Sequence, residues 1–70
     1  IMSQHEFAGV SLGGRYWKVG DRAHVWIVDA LVPAADMRTA QVVLVSEDGG
    51  SVEEIELSHL KDLEQYAPVS

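Results

Sequence analysis

Histidine, serine and acidic side chains are the groups in this chain that could do chemistry, and their spacing favours none of the usual sites. The three imidazoles, His5, His24 and His59, include no pair one helical turn apart, which a local metal-binding motif would require. Ser58 and His59 are neighbours and would point to different sides of the chain, and no serine lies in the glycine pattern typical of a nucleophile. We therefore predict a protein that acts without catalysis, metal or cofactor.

The acidic side chains raise the question of a charged binding surface, because the net charge of −6 is concentrated in the last third of the chain. Acidic and basic residues cancel over 1–46, whereas 47–70 has Lys61 as its one basic residue. The acids of that segment are Glu47, Asp48, Glu53, Glu54, Glu56, Asp62 and Glu64. Such a surface repels phosphate groups, so direct binding of nucleic acid is disfavoured.

Two interpretations of the acids between 47 and 56 stay open. Glu54 and Glu56 share one face of a strand, where charged side chains commonly solubilise a sheet and discourage pairing at its edge. Alternatively, the acids form a docking surface for a basic partner, or imitate nucleic-acid charge and occupy a basic cleft. The residues that would carry this second interpretation are Glu47, Asp48, Glu53, Glu54 and Glu56.

The aromatic residues are candidates for a cage or peptide groove, although core volume is the more common use of so few. Trp26 is expected in the core or in an interface. Tyr16 and Trp17 follow the flexible pair Gly13 and Gly14, which makes them better candidates for a surface contact. The predicted partner-binding residues are therefore Tyr16, Trp17, Trp26, Glu47, Asp48, Glu53, Glu54 and Glu56.

The composition predicts one small globular domain. The chain has 70 residues, 47% of them hydrophobic, and it lacks cysteine, which excludes disulfides and thiolate metal sites. No apolar stretch is long enough to cross a bilayer, and no basic start precedes an apolar targeting segment. We expect a cytoplasmic protein that does not bind membranes.

An apolar run from Arg22 to Leu31 predicts the first strong strand. Alternation places Ala23, Val25, Ile27 and Leu31 on one side, interrupted by Asp29, and His24, Trp26, Val28, Ala30 and Val32 on the other. Pro33 ends the strand. A strand that is apolar on both faces has to be covered on both, by the rest of the chain or by another molecule.

Two further strands complete a predicted antiparallel meander. Thr39–Val45 follows after a connection too short for a parallel crossover, and Val52–Leu57 follows an Asp48-Gly49 hairpin. A short helix or 3₁₀ turn is expected near 58–66, capped by Ser58, and Tyr66 packs beneath the sheet or starts a last short strand. Residues 1–14 are predicted to form an arm or edge strand, and 15–70 the single β domain.

This order of elements resembles the small Src-homology-three-type (SH3-like) barrels of the KOW and Tudor kind, over residues 19–63. The resemblance lies in the Gly20-Asp21 turn before the first strand, the Asp48-Gly49 hairpin, and the Leu57-Ser58-His59-Leu60 segment after the last of the three strands. It implies a mainly β meander curled into a small barrel that serves as a docking module for peptides, nucleic acids or sister domains. The chain lacks the basic surface of the nucleic-acid readers.

Three functions are compatible with these features. The first is a small acidic interaction protein that binds without catalysis, by self-association as a homodimer or by docking on another protein, since burial of strand surface would add to a marginal core. The second is an acidic inhibitor that occupies a basic site on its partner. The third is a small enzyme whose site lies at a subunit interface.

Overall fold

A computed structural model of the chain describes residues 6, 7, 9–35 and 39–69. The described residues contain seven strands, of two to twelve residues each, and one helical turn. They are β1 (Glu6–Phe7), β2 (Val10–Ser11), β3 (Arg15–Lys18), β4 (Asp21–Val32), β5 (Gln41–Ser46), β6 (Val52–Glu56), α1 (Leu57–Leu60) and β7 (Tyr66–Pro68). The prediction of a mainly β chain with one short helix is confirmed.

Five of the strands form one open antiparallel sheet in the order β6-β5-β4-β3-β7. β4 pairs with β5, and β5 pairs with β6, as the predicted meander requires. Within the described residues, β1 and β2 form a separate two-stranded pair. The described sheet has β6 and β7 at its edges, so its closure into a barrel stays a prediction.

The sequence did not predict β3. Its four residues place Arg15 and Lys18 around Tyr16 and Trp17, a pattern without apolar alternation. The strand is instead held by pairing on both sides, with β4 and with β7. β7 itself matches one of the two alternatives for Tyr66, that of a last short strand.

A β-bulge at Asp29 sets which side chains of β4 face the core. Register runs from Val28 opposite Leu44 directly to Ala30 opposite Val43, so Asp29 is an extra residue without a partner. Leu31 therefore lies opposite Val42 and packs against the core. Simple alternation takes no account of an inserted residue, so it was wrong to place Leu31 opposite Trp26 and Val28. It was also wrong to place Ala30 and Val32 on the face of Trp26 and Val28.

The core lies on one side of this sheet. Among its buried members Val28, Val42 and Leu44 come from the two central strands, Leu57 and Leu60 from α1, and Val10 from β2. Trp26, Ala40 and Tyr66 complete the buried cluster. The alternation predicted for β5 is confirmed, since Val42, Leu44 and Ser46 are buried while the residues between them are half-buried.

The predicted hairpin turn occurs where its residue types indicate, whereas the predicted helix cap does not. Gly49 has a φ of 78°, a backbone conformation that suits glycine, in the hairpin between β5 and β6. α1 begins at Leu57 after Glu56, which makes no side-chain cap, so the prediction of Ser58 as the capping residue was wrong. In the described part of the chain, no helix is long and apolar enough to cross a membrane.

The bulge generates a test on two neighbouring residues. Leu31→Ala should lower the free energy of unfolding by about 2 kcal/mol, because it empties space in the core. Val32→Ala should cost only about 0.5 kcal/mol, since Val32 is 47% exposed. Urea unfolding of the two variants measures the difference. An equal loss in both, or a larger loss for Val32→Ala, would contradict the bulged register.

Candidate functional site

The two aromatic residues predicted for a surface contact point to opposite sides of β3. Tyr16 packs against the core, and burial raises the pKa of its phenol. Trp17 lies opposite Val25 on the other side of the sheet, and the Arg22 guanidinium is 4.9 Å from the centre of its ring. Tyr16 and Trp17 therefore do not belong to one aromatic surface.

Trp26 lies in the core of its own chain, with 7% of its surface exposed. The Lys18 ammonium is 4.7 Å from the centre of the indole ring, and it also donates to the Glu53 carboxylate at 2.7 Å. This ion pair crosses the core face of the sheet from β3 to β6, so Lys18 covers Trp26. The buried indole Nε1 has no hydrogen-bond partner within the described residues.

Three of the five acids predicted to bind a partner make contacts within the chain. Glu47 accepts from Arg15, and Glu53 from Lys18. Asp48 accepts from the Ser46 hydroxyl at 2.7 Å and from the Gly50 amide at 2.8 Å. Glu54 and Glu56 are exposed on β6, and neither belongs to an ion pair of the described residues.

Ser46 and Asp48 organise the hairpin at the end of β5. Ser46 is 4% exposed, and its hydroxyl accepts from the Ser51 amide at 2.9 Å while donating to Asp48. These bonds, the one to Ser46 first and the one to Gly50 second, lower the pKa of Asp48 below its ordinary value of 3.8. Asp48 therefore stabilises the turn through these hydrogen bonds, although its side chain is exposed.

The side of the sheet away from the core is apolar over several strands, a feature that the sequence indicated only for β4 and part of β5. We call it the outer face. Its central side chains come from β3, β4, β5 and β6, and all but the exposed Val52 are half-buried. They are Trp17, Val25, Ile27, Ala30, Val43, Val45 and Val52. The bulge at Asp29 brings Ala30 to this face, in line with Val43.

The side chains of the outer face do not belong to the core cluster. None of Trp17, Val25, Ile27, Val43 or Val45 is among the residues that pack against the core. Within the described residues the elements outside the sheet, β2 and α1, contribute Val10, Leu57 and Leu60 to the core on the opposite side. The outer face is thus an apolar surface on the side of the sheet opposite these core elements.

Two open clefts lie near the ends of the strands. One, of about 260 Å³, is lined by the start of β4 and the hairpin after β5, and its polar groups include His24, Ser46 and Asp48. His24 Nδ1 is 3.3 Å from an Asp21 carboxylate oxygen. The other, of about 370 Å³, lies beside Lys18, Gln65 and Tyr66.

Across the described segments, His, Asp and Glu side chains do not gather in any group of three that could hold a metal ion.

The hairpin contacts predict a linked change in stability and titration. Ser46→Ala should lower the free energy of unfolding by about 1–2 kcal/mol, because Asp48 and the Ser51 amide each lose a partner. It should also raise the pKa of Asp48 towards 3.8, which an NMR titration of that carboxyl would measure. Asp48 stabilises the folded chain fully above pH 3.8, and this contribution is lost as the pH falls through its lowered pKa.

The stability difference between the parent chain and Ser46→Ala should accordingly shrink as the pH falls below that value. Ser58→Ala is the matched control, since Ser58 is exposed and lies outside the hairpin. It should leave the Asp48 titration unchanged. An Asp48 pKa that stays the same in Ser46→Ala would contradict the assigned hydrogen bond.

Comparison of the chain with protein-family models, with curated proteins and with solved structures gives no match.

Proposed function

We propose that this chain is a small interaction domain that acts without catalysis and associates with a second copy of itself through the outer face. The observation that carries the proposal is the continuous apolar surface on the side of the sheet opposite the core. Soluble domains rarely leave such a surface in water, and contiguous apolar patches commonly mark sites of protein association. A domain of 70 residues also gains proportionally more from added burial than a larger one does.

The register of the strands gives this surface its shape. Ile27, Val45 and Val52 lie side by side across three neighbouring strands. Ala30 and Val43 form a second row beside them. Flat, β-branched rows of this kind are suited to face-to-face packing of two sheets, in which side chains of the two surfaces interdigitate.

The charges around the outer face favour a second copy as the occupant. On the β3 side of the face, Arg15 next to Ile27 is paired with Glu47. Arg22 lies over Trp17 and belongs to no ion pair of the described residues, so it supplies the positive charge on this side. Glu54 and Glu56 on β6 make the opposite side acidic. A two-fold axis that lies in the interface and runs along the strands would place the acidic side of each copy over the basic side of the other, which is the self-complementarity that a homodimer requires.

The order of elements supports an SH3-like arrangement for this domain. A Gly20-Asp21 turn precedes β4, an Asp48-Gly49 hairpin joins β5 to β6, and α1 leads towards β7. These are the features on which the resemblance to the KOW and Tudor kind of barrel rests. The resemblance implies a docking module for peptides, nucleic acids or sister domains, which is compatible with a role in binding.

The alternative of an acidic inhibitor has less support. An acidic decoy presents its carboxylates to a basic cleft, whereas Glu47, Asp48 and Glu53 are engaged by Arg15, Ser46 and Lys18 of the same chain. Breaking those contacts would oppose binding. Glu54 and Glu56 are the acids of this set that form no ion pair within the described residues, and two carboxylates are a small charge for such a role.

Replacing apolar atoms at the centre of the outer face should separate the two copies. The double variant Ile27→Thr with Val45→Thr keeps β-branched residues in both strands but adds a hydroxyl to each, so we expect dimerisation to weaken by about tenfold or more. Light scattering coupled to size exclusion, over a hundredfold dilution, measures the dimer fraction. The parent chain should dissociate in the micromolar range, as small interfaces commonly do.

The matched control is Val19→Thr, because Val19 is 56% exposed in the turn before β4 and lies outside the outer face. It should dimerise as the parent does. Thermal unfolding at a concentration where all three chains are monomeric checks that each remains folded. A parent chain that is monomeric at every concentration, or a folded double variant that dimerises like the parent, would contradict the proposal.

A further inference from the structure

The free edge of β6 is a second surface with unused binding groups. β6 is the last strand in the order β6-β5-β4-β3-β7, and within the described segments it pairs only with β5. An edge strand presents backbone amides and carbonyls that can pair with another chain. Proteins commonly block such an edge with a bulge, a proline, a covering loop or charged side chains. β6 contains neither a proline nor a shift in its register with β5, and its glutamates discourage pairing with an uncharged or acidic strand.

The hydrogen bonds at the two ends of the β5–β6 ladder identify which backbone groups face outward. The Ser46 amide donates to the Ser51 carbonyl, and the Leu57 amide donates to the Ala40 carbonyl. Antiparallel pairs alternate between bonded and non-bonded, so the pairs of Val52, Glu54 and Glu56 with β5 are the non-bonded ones. The amides and carbonyls of these three residues therefore point away from β5, towards the open edge.

The side chains of the same three residues belong to the outer side of the sheet. Glu54 lies beside Val43, and Glu56 lies beside Gln41. Both carboxylates are exposed and lack an ion-pair partner within the described part of the chain. A strand added to this edge would place its own alternate side chains directly opposite them.

We propose that the β6 edge binds an extended segment of another protein that carries Lys or Arg at two positions separated by one residue. The segment would pair its backbone with the outward groups of Val52, Glu54 and Glu56, as in other complexes formed by strand addition. The amides of its basic residues would point towards β6, and their side chains would meet the Glu54 and Glu56 carboxylates on the outer side. Backbone pairing supplies affinity, and the two ion pairs fix the register.

A second copy of this chain does not fit that description. Its basic residues are Arg15, Lys18, Arg22, Arg38 and Lys61, and no two of them are separated by a single residue. Pairing of two β6 edges about a two-fold axis at Glu54 would place two carboxylates opposite each other, which destabilises a sheet. The occupant is therefore a different protein, and the edge proposal does not depend on self-association through the outer face.

Two heptapeptides of identical composition test the proposal on the full chain. One has lysines at its second, fourth and sixth positions with Thr and Val between them, and the other has them at its first, fourth and seventh positions, where no two lysines are separated by one residue. We expect the alternating peptide to bind about tenfold more tightly, because only it can place lysines opposite both glutamates. Amide shifts in ¹⁵N spectra should be largest at Val52, Glu54 and Glu56. Equal affinity for the two peptides would overturn the proposal, since it would show attraction to net charge alone.

Methylation of peptide amides tests the backbone pairing directly. The alternating peptide N-methylated at its lysines should lose binding, whereas the one methylated at the residues between them should keep it. Glu54→Gln should weaken binding of the unmodified alternating peptide several-fold, and Glu64→Gln, which removes an exposed acid away from the edge, should not. Equal binding by the two methylated peptides, or equal weakening by the two variants, would also overturn the proposal.

Discussion

The inserted residue at Asp29 is the constraint on which the rest of this structure depends. β4 is twelve residues long and is the central strand of the sheet, so its register decides what lies on each side. The bulge lets Trp26, Val28 and Leu31 share the core face although they are not evenly spaced. It also keeps Ala30 in line with Val43 on the outer face. Without it, the second half of β4 would present Leu31 to the outer face and Val32 to the core.

The sheet that results has two apolar faces, and only one of them is covered by the described elements. α1 and Val10 close the core side, and the Lys18–Glu53 pair crosses that side over Trp26. The outer face keeps its valines and isoleucine side by side, with basic residues towards β3 and acidic residues on β6. The contrast between these two faces is the physical basis of the proposed interaction domain, because the second face has no comparable cover within the described part of its own chain.

Much of this architecture could be predicted from the sequence, and the failures have physical causes. The apolar run of β4, the alternation in β5 and the Asp48-Gly49 turn are local signals, and the structure contains all three. β3 could not be predicted because pairing with β4 and β7 holds it, and its own residues carry no strand pattern. The bulge could not be predicted because a single aspartate in an apolar run is also compatible with regular alternation. Trp26 was predicted among the partner-binding residues, yet the register places it in the core of its own chain.

The candidate site was harder to predict than the fold because its residues act through cross-strand neighbours. Acids adjacent in sequence have different uses, with Glu53 paired to Lys18 on the core side and Glu54 exposed on the outer side. The most direct test of self-association through the outer face is an isotope-filtered NMR experiment on an equal mixture of labelled and unlabelled chains. The account predicts contacts between copies from the methyl groups of Ile27, Val43 and Val45. Contacts between copies that involve only residues outside the outer face, or none at millimolar concentration, would contradict it.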